Sequence, residues 1–169
     1  KPPHHKGFDL LIQALVKLNK LHLPQIPHLV VVGQAQPRQP LPLPFPIHYV
    51  GHLHDEVSMK LLYSSATCVA IPSRFDNLPN IAVESICCGT PVVSFDIGGL
   101  SDIIKHKHNG YLANPFNVDS FACGLHWILT HSEPKTLRFN ARSHALQTFS
   151  NDIIMPKYNS IYTSLANQL

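Results

Sequence analysis

Apolar positions fall into short unbroken runs and longer stretches at helical spacing, and the two kinds alternate along the chain. Leu29-Val30-Val31-Val32 ends at Gly33 and predicts a parallel strand buried on both faces. Ile47 to Val50, closed by Gly51, predicts a second strand, Cys68 to Ile71 a third, Pro91 to Phe95 a fourth, and Tyr111 to Ala113 a brief fifth. Phe8, Leu11, Leu15 and Leu18, with Ile12 beside them, share one face of a helix over Gly7 to Leu21. Asp55 can cap a helix carrying Val57, Leu61 and Leu62. Another helix follows Pro79 and stops near Gly89, and Gly98-Gly99 opens a short one with Ile103 and Ile104. Three more complete the chain: one on Val118, Phe121, Ala122, Leu125, Ile128 and Leu129, one after Pro134, and one on Ile154, Tyr158, Ile161, Tyr162 and Leu165. Gln36 to Pro46 holds five prolines in eleven residues and must be loop.

Repeated strand-helix units imply an α/β fold: a Rossmann-like, doubly wound parallel sheet with helices on both faces. No repeat or boundary interrupts it, so residues 1–169 read as one domain. Ligands of such sheets lie beyond the carboxyl ends of the strands, which directs attention to the segments after Gly33, Gly51, Ile71 and Phe95.

Composition narrows the classes. Apolar residues make up 44% of the chain and charged residues 14%, which suits a packed domain rather than a disordered tail. No Lys/Arg run interleaved with aromatics supports a nucleic-acid groove. The longest apolar runs are too short to span a bilayer, and no signal peptide is apparent. The chain starts at Lys1, with both methionines internal, and reads as a fragment. Cys68, Cys87, Cys88 and Cys123 form no C-x-x-C pair, and a reducing, cytoplasmic setting is the simpler expectation. Twelve histidines raise the question of a metal. The pairs His52/His54 and His106/His108 fall in turns, and no Cys or acidic pair completes a tetrahedral set, so solvated loop histidines are expected.

The chemistry concentrates in Pro72 to Glu84, which runs from a strand end through a polar loop into a helix. Pro79 suits the first helical position. The amides of Asn80, Ile81 and Ala82 would then lack intrahelical partners and, with the helix dipole, form an anion site fit for a diphosphate. Glu84, one turn further in, could accept hydrogen bonds from vicinal ribose hydroxyls, and Asp76 could do the same for sugar hydroxyls. On the residues alone, acids near a helix start are as readily explained as caps.

The order of these pieces resembles the donor-site signature of family 4 glycosyltransferases, which are retaining enzymes of GT-B fold. That pattern is an acid, seven residues and a glutamate, then a Gly-x-Pro-Val strand and a Gly-Gly turn. Asp76 and Glu84, Gly89-Thr90-Pro91-Val92 and Gly98-Gly99 match it, with Asp76 in place of the usual first Glu. Asp76-Asn77-Leu78-Pro79-Asn80 is similar to a branch that assembles bacterial polysaccharides. Lys6-Gly7-Phe8, Gly33, the Gly51 turn, Asn109-Gly110-Tyr111-Leu112 and Tyr158-x-x-x-Tyr162 also fall in the family's order, so the resemblance covers essentially the whole chain.

The resemblance implies the C-terminal, nucleotide-sugar-binding half of a GT-B enzyme that moves a hexosyl unit to a saccharide or lipid-linked acceptor with retention. Lys6, Asp76 and Glu84 would carry the catalytic roles: Lys6 on the diphosphate, Glu84 on the ribose, Asp76 on sugar hydroxyls. Asn77, Leu78, Pro79, Asn80 and Ile81 would line the donor, with Gly33 and the turn from Gly51 to Leu53 near the base. The shorter acid at position 76 leaves the sugar contact open, and Arg74 is either a second cation or a solvated loop arginine. No metal or other cofactor is implied. An N-terminal domain would supply the acceptor and any peripheral membrane contact, and without it the fragment would be catalytically incomplete. The family's first strand and a glycine-arginine pair would likewise precede Lys1. Two rivals stand beside this reading: a degenerate, non-catalytic nucleotide-sugar-binding module and a nucleotide-sugar epimerase of the same architecture. A receiver domain would need an acidic pair after its first strand; the only nearby acid, Asp9, falls on a helix.

Overall fold

The computed structural model describes residues 4–39 and 41–167. A 3-10 turn at His4–Lys6 leads into α1 (Phe8–Leu18), then β1 (Leu29–Val32), β2 (Ile47–Gly51), α2 (Glu56–Ser65) and β3 (Val69–Ile71). There follow α3 (Asn80–Cys87), β4 (Val92–Phe95), α4 (Leu100–Ile103), β5 (Gly110–Ala113), α5 (Val118–Leu129), α6 (Pro134–Phe149) and α7 (Asn151–Ala166). Every strand pairing is parallel, in two groups ordered β1-β2 and β3-β4-β5.

β4 shows why helices cover both faces. It is the central strand of its group and all four residues are buried. Its side chains alternate, as strand geometry requires. Val93 and Phe95 pack with α1 and α5 through Leu11, Leu15, Phe121 and Leu125, whereas Val92 packs with Ile71, Ala82, Ile86 and Ala141 on the side of α3 and α6. Phe95 and Phe121 meet at a 4.9 Å centroid separation, tilted 53°. Sequence-predicted caps close two helices: Asp55 accepts from the Ser58 amide at 2.7 Å, and Gly89, at φ 71°, follows α3 in the left-handed conformation. Buried Asn109 bridges the end of α4 to β5, donating to the Ile103 carbonyl and accepting from the Lys105 amide.

Two expectations are corrected. β1 is not buried on both faces: Val30 is 44% exposed, and Val50 on β2 is 41% exposed. Its one partner among the described residues is β2, and the crossover between them is the proline-rich loop, not a helix. That loop sends Leu43 and Phe45 into the core against α1 and α5, covering one side. The other side carries His28, Val30, His48 and Val50 outward, with His28 Nδ1 and His48 Nε2 2.9 Å apart. α7 forms where its periodicity places it, yet none of its residues is buried; it packs along α6, and Tyr158, Ile161, Tyr162 and Leu165 are all more than half exposed. Helical spacing of apolar residues marks a face able to pack, and packing needs a partner surface.

The two-sided core yields a direct test. Phe121→Ala should destabilise the chain by about 3–5 kcal/mol, the usual cost of emptying a buried phenylalanine site. Leu61→Ala, on the outer face of α2 at 65% exposure, should cost less than about 0.5 kcal/mol. Urea unfolding followed by circular dichroism measures both, and equal costs would contradict this core.

Candidate functional site

The site lies where β3 ends. From Ile71 the chain passes through Pro72 and Ser73, both buried, into a loop that enters α3 at Asn80. Four backbone contacts hold this loop. The Arg74 amide donates to the His5 carbonyl at 2.8 Å, tying the loop to the turn that carries Lys6. Gly7, at φ 64°, passes so close that a β-carbon there would lie 1.8 Å from the Pro72 carbonyl oxygen. On the far side the Gly99 amide donates to the Asn77 carbonyl at 2.6 Å, and a β-carbon on Gly98 would lie 1.9 Å from the Asp76 carbonyl oxygen. Any side chain at positions 7 or 98 would push the loop away, and both glycines also need the left-handed region.

Arg74 works inside the structure. Its guanidinium makes a two-point contact with the Asp9 carboxylate, at 2.8 and 2.6 Å, and a further bond to the His4 carbonyl. It therefore clamps the loop to the first turn of α1 and is not a solvated loop arginine. The guanidinium hydrogen bond holds the Asp9 carboxyl below the usual carboxylate range.

With these contacts made, an open cleft of about 460 Å³ forms, lined by Lys6, Asp76, Leu78, Pro79, Asn80 and Ile81, with Ala70 to Ser73 as its floor. Lys6 Nζ lies 3.2 Å from Asp76 Oδ2; the lysine side chain is half exposed and the aspartate 19% exposed. The helix mouth differs from expectation in one respect. Pro79, with ψ 121°, is the cap rather than the first helical residue. Its carbonyl accepts the Ala82 amide at 2.9 Å, a tight first turn that leaves Asn80 and Ile81 as the amides facing outward. Ala82 is removed from the anion-binding set.

Glu84 is exposed one turn further along α3 and does not line the cleft itself. The Tyr63 hydroxyl donates to its Oε2 at 3.0 Å. Asn77 is exposed at the edge, its carbonyl engaged by Gly99. Gly33 and Gly51 come together at the carboxyl ends of β1 and β2, where the Gly33 amide donates to the Gly51 carbonyl at 2.6 Å. Both have positive φ, and Leu53 follows just beyond. This cluster is not part of the cleft lining. The sequence reading missed Tyr63 and the Asp9–Arg74 clamp, the latter spanning 65 positions. Among the described residues no group of three or more His, Cys, Asp or Glu is placed to hold a metal, no helix is long and apolar enough to cross a membrane, and the four cysteines are free.

The clamp makes stability acid-sensitive in a defined direction. A carboxyl lowered by folding contributes stability that is present above its ordinary value of 3.8 and lost as pH falls through the lowered one. The stability gap between the parent chain and Asp9→Asn should therefore be widest near neutrality and close as pH drops below 3.8. A gap that stays constant down to acid unfolding would contradict the clamp.

Comparison with known proteins agrees with this architecture. The model of the glycosyl transferases group 1 family matches residues 3–144. An uncharacterized glycosyltransferase of Methanocaldococcus jannaschii is 30% identical over 94% of this chain and 42% of its own length. Sucrose-phosphate synthase of Thermosynechococcus elongatus superposes with a TM-score of 0.83 at 24% identity, over 99% of this chain and 44% of that one. HepE of Anabaena, solved in complex with UDP-glucose, gives 0.78 at 23% identity, over 97% and 47%. The chain thus spans less than half the length of these relatives, and its fold is the C-terminal half of the GT-B architecture. Parallel strands with β4 buried between helices on both faces, a cleft at the carboxyl end of β3 and a family match over most of the sequence converge: this chain belongs to the group 1 glycosyl transferases.

Proposed function

We propose that this chain is the donor-binding part of a retaining family 4 transferase, holding a nucleoside diphosphate sugar for hexosyl transfer to a saccharide or lipid-linked acceptor. The observation that carries the reading is the meeting of Lys6, Asp76 and the first amides of α3 around one cleft. A diphosphate at the mouth of α3 would accept from the Asn80 and Ile81 amides and take up the positive end of the helix. Lys6 would move from Asp76 to the phosphates, where its charge offsets the negative charge that grows on the leaving group as the glycosidic bond breaks. That exchange frees Asp76 to accept from sugar hydroxyls. Glu84, beyond the diphosphate along the same helix, would take the ribose, and Gly33 and the Gly51–Leu53 turn, at the carboxyl ends of β1 and β2, would take the base. HepE, with the same fold, was solved with UDP-glucose, which supports a donor of this class.

Acceptor binding and completion of the reaction belong to a domain outside these residues. The same reading puts the work in polysaccharide assembly on the cytoplasmic side of a membrane. No metal or other cofactor has a role in it.

Calorimetry on the 169-residue chain with UDP, GDP, ADP and their glucose conjugates tests the proposal. Glu84→Ala should weaken nucleotide and sugar nucleotide alike by about tenfold, the loss of hydrogen bonds to a charged acceptor. Asp76→Ala should chiefly erase the affinity difference between a sugar nucleotide and its bare nucleotide. Folded protein that binds no nucleoside diphosphate at millimolar concentration would sink the reading.

A further inference from the structure

The Tyr63–Glu84 contact belongs to a closed ring of hydrogen bonds. Tyr63 is the buried residue of α2, only 5% exposed, and α2 packs along α3. Its hydroxyl reaches the helix surface and donates to Glu84 Oε2. Its backbone carbonyl accepts from the buried Thr90 hydroxyl at 2.5 Å, and the Thr90 carbonyl accepts from the buried Ser85 hydroxyl at 2.9 Å. Ser85 adjoins Glu84 on α3, so the ring closes on the carboxylate's own backbone. Both the tyrosine and the helix turn beneath the glutamate are fixed.

A glutamate on an exposed helix face ordinarily samples several rotamers, and a ligand must freeze them on binding. Here one carboxylate oxygen is already held, and Oε1 has no hydrogen-bond partner among the described residues. Burial, and then the neighbouring carboxylate, push the Tyr63 hydroxyl above the usual phenol range, so it stays a neutral donor throughout the physiological range. A phenol has one proton to give. Given to Oε2, it aligns the carboxylate plane and leaves lone pairs on Oε1 for an incoming diol.

Resting on the donor-site reading above, we infer that Tyr63 is a positioning residue for the donor nucleotide: its hydroxyl holds Glu84 Oε2 so that Oε1 meets the vicinal ribose hydroxyls. Tyr63 touches no substrate. It sets in advance the geometry by which a ribonucleotide is distinguished from its deoxy counterpart.

Tyr63→Phe tests this, because it removes one oxygen and leaves the ring in place. Its melting curve should stay close to the parent's, since Glu84 is exposed and water replaces the lost bond. Titration with UDP and 2′-deoxy-UDP, or the guanine pair if guanine is the base bound, should show the parent favouring the ribonucleotide by about tenfold. Tyr63→Phe should lose most of that preference, with deoxynucleotide affinity changed less than about twofold. On a Glu84→Ala background the same change should have no further effect. A variant that keeps the full preference, or weakens both nucleotides equally, overturns the positioning role while the donor-site reading stands. A folded parent chain that binds neither nucleotide overturns both.

Discussion

Two stretches of backbone far apart in sequence run closer here than any side chain would permit. The carbonyl of Pro72 occupies the space where residue 7 would carry its β-carbon, and the carbonyl of Asp76 does the same for residue 98. The loop between them is thus gripped from both sides by glycines, and everything chemical in the cleft is a consequence. The first contact delivers Lys6 to Asp76, and the second fixes the direction in which the chain enters α3. Side-chain bonds reinforce the grip. Arg74 spans from the loop to Asp9 and the His4 carbonyl, so the lysine-bearing turn and the start of α1 are braced by the segment they face. A cation and a helix mouth are useful to an anion only when their spacing is set beforehand, and here main-chain sterics set it.

The elements of the fold were legible to within a residue or so at most ends because local and global signals agree. β-branched runs stop at glycines that turn out to need positive φ, as at Gly33 and Gly51, and Asp55 caps the helix its position suggests. Periodicity does not record the partner. A run such as Leu29 to Val32 looks the same whether a second layer covers it or not, so the open side of β1 emerges only in the folded chain, as does the bare face of α7. The replacement of a helix by prolines between β1 and β2 was visible in the sequence, and its consequence, a sheet face lined by His28, Val30, His48 and Val50, was not.

Site residues divide the same way. Asp76, Asn80 and Ile81 were singled out because each sits in a local pattern with a chemical reason, Lys6 because of the family resemblance, and the structure brings all four to one cleft. Tyr63 gave no such signal: the helix was read from Val57, Leu61 and Leu62, of which Val57 and Leu61 are exposed, while the tyrosine is core by its ring and polar only by its tip. Arg74 and Asp9 looked like unrelated surface charges until the chain crossing placed them together. Pairings over 65 or more positions are products of topology, which no window on the sequence contains.

The proposed donor site would set two acids near a diphosphate, and the two are held differently at rest. Each carboxylate already has a partner: Asp76 has Lys6, and Glu84 has the Tyr63 hydroxyl. These partners differ in kind. The lysine is half exposed on a flexible stem and can turn to a stronger anion, because an ion pair in water is worth little more than its alternatives. The tyrosine is packed in the interior and cannot follow a ligand. A diphosphate arriving at α3 would therefore redirect the first carboxylate's partner and leave the second untouched. On the proposed reading, one acid would become available to the sugar only as the phosphates bind, while the other would wait in fixed geometry for the ribose. That asymmetry follows from burial: Lys6 is half exposed and Tyr63 is 5% exposed.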